Sequence, residues 1–216
     1  MEIILPTAQD AWKATLHSII EKGKEFKDND HRDCKELLNV SVTITSPDVG
    51  IEEPIDTIKK IDKWVYPSKD ELISIIFNEI EQPLYEYTYG SRIFGYQGTI
   101  DQINDYIIPL LKENPMSRRA SIVTIDPRKD LNIKNKNAPG LISLHFKIHD
   151  EKVLLTAVIR SNDFFIGWPA NIYQLAALQY YVAEQLERRV GPLTTYSISA
   201  HLFMEYSEEI QKVLEK

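Results

Sequence analysis

The sequence predicts an α+β fold, a mainly β core sheet with helices packed against it. Several segments alternate apolar and polar side chains and are rich in β-branched residues, as half-buried strands are. Between them lie stretches with apolar residues at helical spacing. No internal repeat or low-complexity linker interrupts the 216 residues, so 1–216 are expected to form a single domain.

Residues 8–22 carry Trp12, Leu16, Ile19 and Ile20 at helical spacing. Residues 24–35 are charged (Lys24, Glu25, Lys27, Asp28, Asp30, Arg32, Asp33) and predict a loop. Residues 37–46 alternate and predict a strand, closed by Pro47. Residues 69–80 predict a helix, with Ser68 as cap and Glu71 three residues on. A tyrosine-rich stretch (Tyr85, Tyr87, Tyr89) runs to Gly90. Thr99 is the expected cap of a helix whose apolar face holds Ile103, Ile107, Leu110 and Leu111, ending at Pro115. Residues 120–125 predict a strand and 128–137 a polar loop. Two strands, 141–148 and 153–160, are joined by a turn at Asp150 and Glu151. Residues 169–189 predict a long helix stopped by Gly191 and Pro192. A strand at 194–203 and a short helix at 205–216 complete the chain.

Hydrophobic residues make up 43%, as in a globular protein. No apolar run is long enough for a membrane span. The first residues lack the basic start and apolar stretch of a secretion signal. One cysteine, Cys34, excludes an internal disulfide and fits a reducing cytoplasm. A net charge of −7 argues against general nucleic-acid binding, which draws on clustered Lys and Arg. A small anionic ligand remains compatible, because a few convergent arginines outweigh a diffuse negative surface locally. The histidines are scattered without metal-ligand spacing, so no metal is expected.

Residues 160–171 read Arg-Ser-Asn-Asp-Phe-Phe-Ile-Gly-Trp-Pro-Ala-Asn and follow the paired strands. Arg160 at a strand end could set a planar fork on a phosphate, with the Ser161 hydroxyl beside it. Alone, Arg160 reads as a surface arginine. Asn171 offers a donor and an acceptor to a polar partner; its plainer reading is a helix N-cap. Arg118 and Arg119 are adjacent, so they would reach one anion only from a loop or a twisted strand end; otherwise they are a solvated basic pair. His201 contacts a ligand or is a satisfied core histidine on its strand.

These residues fall in a larger pattern: Tyr89-Gly90 with Arg92, Ser117-Arg118-Arg119-Ala120, Ala138-Pro139-Gly140-Leu141, the 160–171 segment, and Ser199-Ala200-His201-Leu202-Phe203. In order and spacing they resemble the thymidylate synthase superfamily, most closely the short archaeal-type synthases and related pyrimidine nucleotide hydroxymethylases. The first third of the chain matches only loosely.

The resemblance implies a thymidylate synthase-like fold and a two-fold homodimer in which Arg118 and Arg119 reach into the partner's site. It implies a pyrimidine nucleoside monophosphate as ligand, its 5′-phosphate held by Arg160 and Ser161. Arg32 stands where the family has a mobile phosphate-binding arginine, or is a solvated loop charge. Asn171 favours uracil, since deoxycytidylate hydroxymethylases tend to carry aspartate there. His201 matches a sugar contact; Phe203 replaces the family's usual tyrosine, which leaves deoxyribose versus ribose open. Tyr89 and Asp163 match residues that organise water and contact pyrimidine or folate. The implied cofactor is methylene-tetrahydrofolate or a related reduced pterin.

Gly140 occupies the place of the family's cysteine. There a thiolate adds to C6 of the pyrimidine and makes C5 nucleophilic. Glycine cannot add. Cys34, beside Arg32, is one substitute, if the arginine lowers its pKa. His145, five residues past Gly140, is another, as a general base; its plainer reading is a structural strand histidine. Alternatively Gly140 marks an inactive nucleotide-binding paralogue or regulator, or an enzyme with a different reaction on the nucleotide. Glu52 and Glu53 lie near the expected catalytic glutamate but lack its tryptophan-rich surroundings.

Overall fold

Burial of alternate side chains builds the strands in both parts of the chain. The computed structural model describes residues 1–61, 63, 65–78, 87–135 and 137–215. It contains two compact units that interleave in sequence: Met1–Pro67, Ile159–Tyr173 and Pro192–Lys216 form the first, Ser68–Val158 and Gln174–Gly191 the second. Tyr85, the end of the expected 69–80 helix and Lys216 lie outside the described residues.

In the first unit, β1 (Glu2–Leu5) pairs in parallel with β3 (Asp33–Ile44), Glu2 opposite Ser41. The crossover between them is α1 (Ala8–Lys22), with the bounds that its periodicity predicts. Thr7 caps it by accepting the Asp10 N–H, and Trp12, Leu16 and Ile19 are wholly buried. The Trp12 indole donates to the Phe164 carbonyl at 2.6 Å.

The charged segment expected to be a loop is instead a hairpin. β2 (Lys24–Lys27) runs antiparallel to the start of β3, and Asp28 to Arg32 form the turn. β2 is mostly exposed, so its backbone pairing needs no apolar alternation to support it, and charges suit such an edge. β7 (Arg189–Phe203) lies antiparallel on the other side of β3, from Cys34 opposite Phe203 to Ile44 opposite Leu193. The end of β6 (Lys152–Asp163) comes next in strand order. Helix α2 (Glu53–Lys59) packs on α1, as does the terminal α8 (Ser207–Leu214), which follows a 3-10 turn.

In the second unit, α3 (Lys69–Phe77) carries the expected capping box of Ser68 and Glu71. The short α4 (Tyr89–Ile93) has a second box, Thr88 with Ser91. The helix expected to be capped by Thr99 begins as a π turn over Ile103–Ile107 and continues as α5 (Ile108–Glu113). Asp101 takes the N–H groups of Ile103 and Asn104, at 3.0 and 2.8 Å, while Thr99 lies in the preceding turn, where its N–H donates to the Tyr96 carbonyl.

β4 (Ser121–Val123) pairs antiparallel with β5 (Leu141–His149), and β6 follows in order. One helical turn, α6 (Pro127–Asp130), opens the expected 128–137 loop, capped by Asp126. Asp150 and Glu151 turn β5 into β6 with φ of +48° and +58°, the two left-handed residues of a tight hairpin. α7 (Gly167–Gln185) ends earlier than expected. Glu187 takes the left-handed conformation without being glycine, and the Arg188 N–H returns to the Ala183 carbonyl at 2.9 Å. Gly191 and Pro192 therefore lie inside β7.

Candidate functional site

The burial of β6 alternates from Val153 to Ile159 and then slips by one residue. Arg160 and Ser161 are both exposed as a result, while Asn162 is buried. Asp163 ends the strand. Its Oδ1 accepts the N–H groups of Phe165 at 2.9 Å and Ile166 at 3.3 Å, which turns the chain into α7. The Tyr66 hydroxyl donates to the Ile166 carbonyl at 2.7 Å. Burial pushes the Asp163 carboxyl up to about 6, against the pull of those two N–H groups and the Arg32 charge. Burial also raises the Tyr66 hydroxyl, and the Asp163 charge adds to that.

A chain of side chains fixes Asn171. Its Nδ2 donates to Oδ1 of Asn162 at 3.3 Å, and Nδ2 of Asn162 donates to the buried Ser197 hydroxyl at 3.0 Å. Asn171 lies inside α7 and is not its cap.

His201 is buried opposite Glu36, and burial lowers its pKa, which favours the neutral imidazole. Its ring meets Phe203 edge-on at 5.1 Å. The Arg32 guanidinium lies 3.9 Å above the centre of the Phe203 ring, and its Nε bonds Asp28 at 2.8 Å. Glu52 immediately precedes α2 and Glu53 opens it, so both sit where carboxylates favour a helix dipole.

Cys34 is buried, its thiol facing the Arg32 carbonyl at 3.5 Å. Burial pushes its pKa up, and the Asp28 charge adds to this; the Arg32 charge is outweighed. The expectation that Arg32 lowers its pKa is corrected: Cys34 is a buried thiol whose pKa is raised.

In the second unit, the Tyr89 hydroxyl accepts the Leu141 N–H at 3.3 Å, so Tyr89 stands against the peptide that follows Gly140. The Thr124 hydroxyl donates to the Leu141 carbonyl. Arg118 and Arg119 lie in the irregular segment between α5 and β4. Ser117 accepts the Arg119 N–H at 3.2 Å and Tyr106 donates to the Arg119 carbonyl at 2.7 Å. Both arginines are exposed, and among the described residues neither guanidinium makes a hydrogen bond or ion pair.

His145 lies on the exposed side of β5, between Ser121 at 2.8 Å and Ser143 at 2.9 Å, one serine on each ring nitrogen. At strand rise it is about 16 Å along the chain from Gly140.

Comparison with known proteins decides the family. The model of the family described as thymidylate synthase matches residues 62–216. The chain belongs to the thymidylate synthase family. Relatives named "Putative thymidylate synthase" include a Methanosarcina mazei protein, 38% identical over 90% of this chain and 85% of the relative. A Methanosarcina barkeri protein is 34% identical over 91% and 87%, and one from Methanothermobacter thermautotrophicus is 32% identical over 95% and 94%.

For a thymidylate synthase-family chain, two side chains of this site escaped sequence reasoning. Asn162 stands inside the 160–171 segment, and its place between Ser161 and Asp163 was a usable signal. Tyr66 gave none, because its partner Ile166 is 100 residues away along the chain. No helix among the described residues is long and apolar enough to cross a membrane.

Proposed function

We propose that this thymidylate synthase-family chain binds a pyrimidine nucleoside 5′-monophosphate, with a uracil-type base, as a homodimer that descends from C5 one-carbon transferases. The observation that carries this reading is the relay from Asn171 through Asn162 to Ser197, which holds one amide in a fixed orientation. An oriented amide selects a pyrimidine edge by donor and acceptor. Arg160 and Ser161, exposed together at the end of β6, are the phosphate ligands, joined by Arg32. His201 in its neutral form contacts the sugar. Arg118 and Arg119, exposed on an anchored loop, serve the partner's site.

Among this chain's side chains, Asp163 fits a reduced pterin. With its carboxyl at about 6, it can accept or donate at an amide edge near neutral pH. The reduced folate, when bound, supplies the one-carbon unit. Without a thiol at Gly140, C6 receives no covalent adduct, so the chain's own residues bind and orient the nucleotide. Release of tritium from C5-labelled deoxyuridylate with methylene-folate tests transfer. Gly140→Cys is expected to raise that release sharply; no label released by either protein above a blank overturns the transferase reading.

A second reading is a nucleotide-binding protein without transfer activity. The burial of Cys34 and the serine bonds on both ring nitrogens of His145 support it. Calorimetry with pyrimidine monophosphates tests the basis that both readings share: no binding at millimolar ligand removes both.

A further inference from the structure

We propose that Phe203 is a positioning residue for Arg32: the ring that stands in place of the family's tyrosine presents a guanidinium to the ligand's phosphate. This role rests on the nucleotide-binding reading above. Arg32 sits in the turn of the β2–β3 hairpin, where an exposed arginine samples many rotamers and loses that freedom on binding an anion. Two contacts order it beforehand. Its Cζ lies 3.9 Å over the Phe203 ring centre, and its Nε donates to Oδ2 of Asp28 at 2.8 Å. Asp28 is fixed in turn, because its Oδ1 accepts the N–H groups of Asp30 and Arg32, each at 2.9 Å.

The Nε bond leaves the two Nη groups, which make no hydrogen bond among the described residues. That edge is the one that forks onto phosphate oxygens. Phe203 is held at the mouth of the hairpin by its register opposite Cys34. Its edge contact with His201, at 5.1 Å, sets one ring between the phosphate and sugar ligands. The tyrosine hydroxyl is gone; the ring face that holds a cation remains.

A double-mutant cycle read by calorimetry with deoxyuridylate tests this. Phe203→Leu is expected to weaken binding by about three- to tenfold, and Phe203→Tyr, which keeps the ring, to stay within about twofold of the unaltered protein. In the Arg32→Ala background, Phe203→Leu is expected to cost less than about twofold, because the cation it served is absent. Equal weakening in both backgrounds overturns the proposal and makes the ring a packing residue. Unchanged binding in Arg32→Ala also overturns it, while the nucleotide-binding reading stands. Undetectable binding by the unaltered protein removes both.

Discussion

Asn162 stands between Asn171 and Ser197, accepting from the first at 3.3 Å and donating to the second at 3.0 Å. Asn162 is 1% exposed and Ser197 wholly buried, so bulk water does not replace their bond when it is lost. Asn162→Ala leaves the buried Ser197 hydroxyl without this partner, at a cost of about 1–3 kcal/mol. Denaturant unfolding is expected to show a lower midpoint with an unchanged slope. The same variant is expected to lose discrimination between uracil and cytosine monophosphates, because the Asn171 amide is then free to rotate. Retained discrimination would show that Asn171 is oriented by other means.

Asp163 gives the protein a stability that depends on pH in an unusual direction. Its carboxyl is raised from the ordinary 3.8 to about 6, chiefly by burial. Between those values the folded chain holds a proton that the unfolded chain has released, so stability falls as pH rises through the window. Above about pH 6 the full cost is present, on the order of 3 kcal/mol at most. Asp163→Asn keeps an oxygen for the Phe165 and Ile166 N–H groups and carries no charge. It is expected to be more stable than the unaltered protein at pH 7 and to lose the decline between pH 4 and 6. Thermal unfolding across that range checks both.

The elements legible in the sequence are those whose cause is local. The bounds of α1 follow from the spacing of Trp12, Leu16 and Ile19. The Ser68 and Glu71 box lies within four residues, and the hairpin turn falls at Asp150 and Glu151 as expected. What failed needed a partner that local pattern does not reveal. β2 is a strand only because β3 pairs with it, and its own residues are charged. α7 stops at a left-handed glutamate, not at the later glycine. In the candidate site, Arg160, Ser161 and Asn171 stood out by type and spacing. The support that orients Asn171 required Ser197, 35 residues beyond Asn162.

Gly90 of the Tyr-Gly segment is a packing residue. A Cβ built there would lie 2.4 Å from the Asn78 carbonyl oxygen and 2.6 Å from that of Ile75. Both are backbone atoms, so neither can swing away. Gly90→Ala is expected to destabilise by about 2 kcal/mol or more, since the two segments must move apart. It should also disturb Tyr89, its neighbour, and thereby the bond to the Leu141 N–H. Denaturation and near-ultraviolet circular dichroism measure the two effects. A variant with unaltered stability would mean that the approach is looser in solution.

Arg92 and Asp130 form a buried ion pair, with guanidinium nitrogens 3.0 and 3.3 Å from the two carboxyl oxygens and both side chains almost wholly enclosed. Arg92→Met leaves the Asp130 carboxylate without its counter-charge, at an expected cost of about 3–5 kcal/mol. Adding Asp130→Leu removes that stranded charge, so the double variant is expected to be more stable than the single one. Recovery should be partial. Asp130 also accepts the Asp126 N–H at 2.7 Å, and leucine cannot. Among the described residues the buried Arg92 Nε has no hydrogen-bond partner, so its removal offsets part of the loss. Urea unfolding of the two single variants and the double variant gives the coupling directly. Costs that simply add would mean that water reaches the pair and screens it, contrary to its burial.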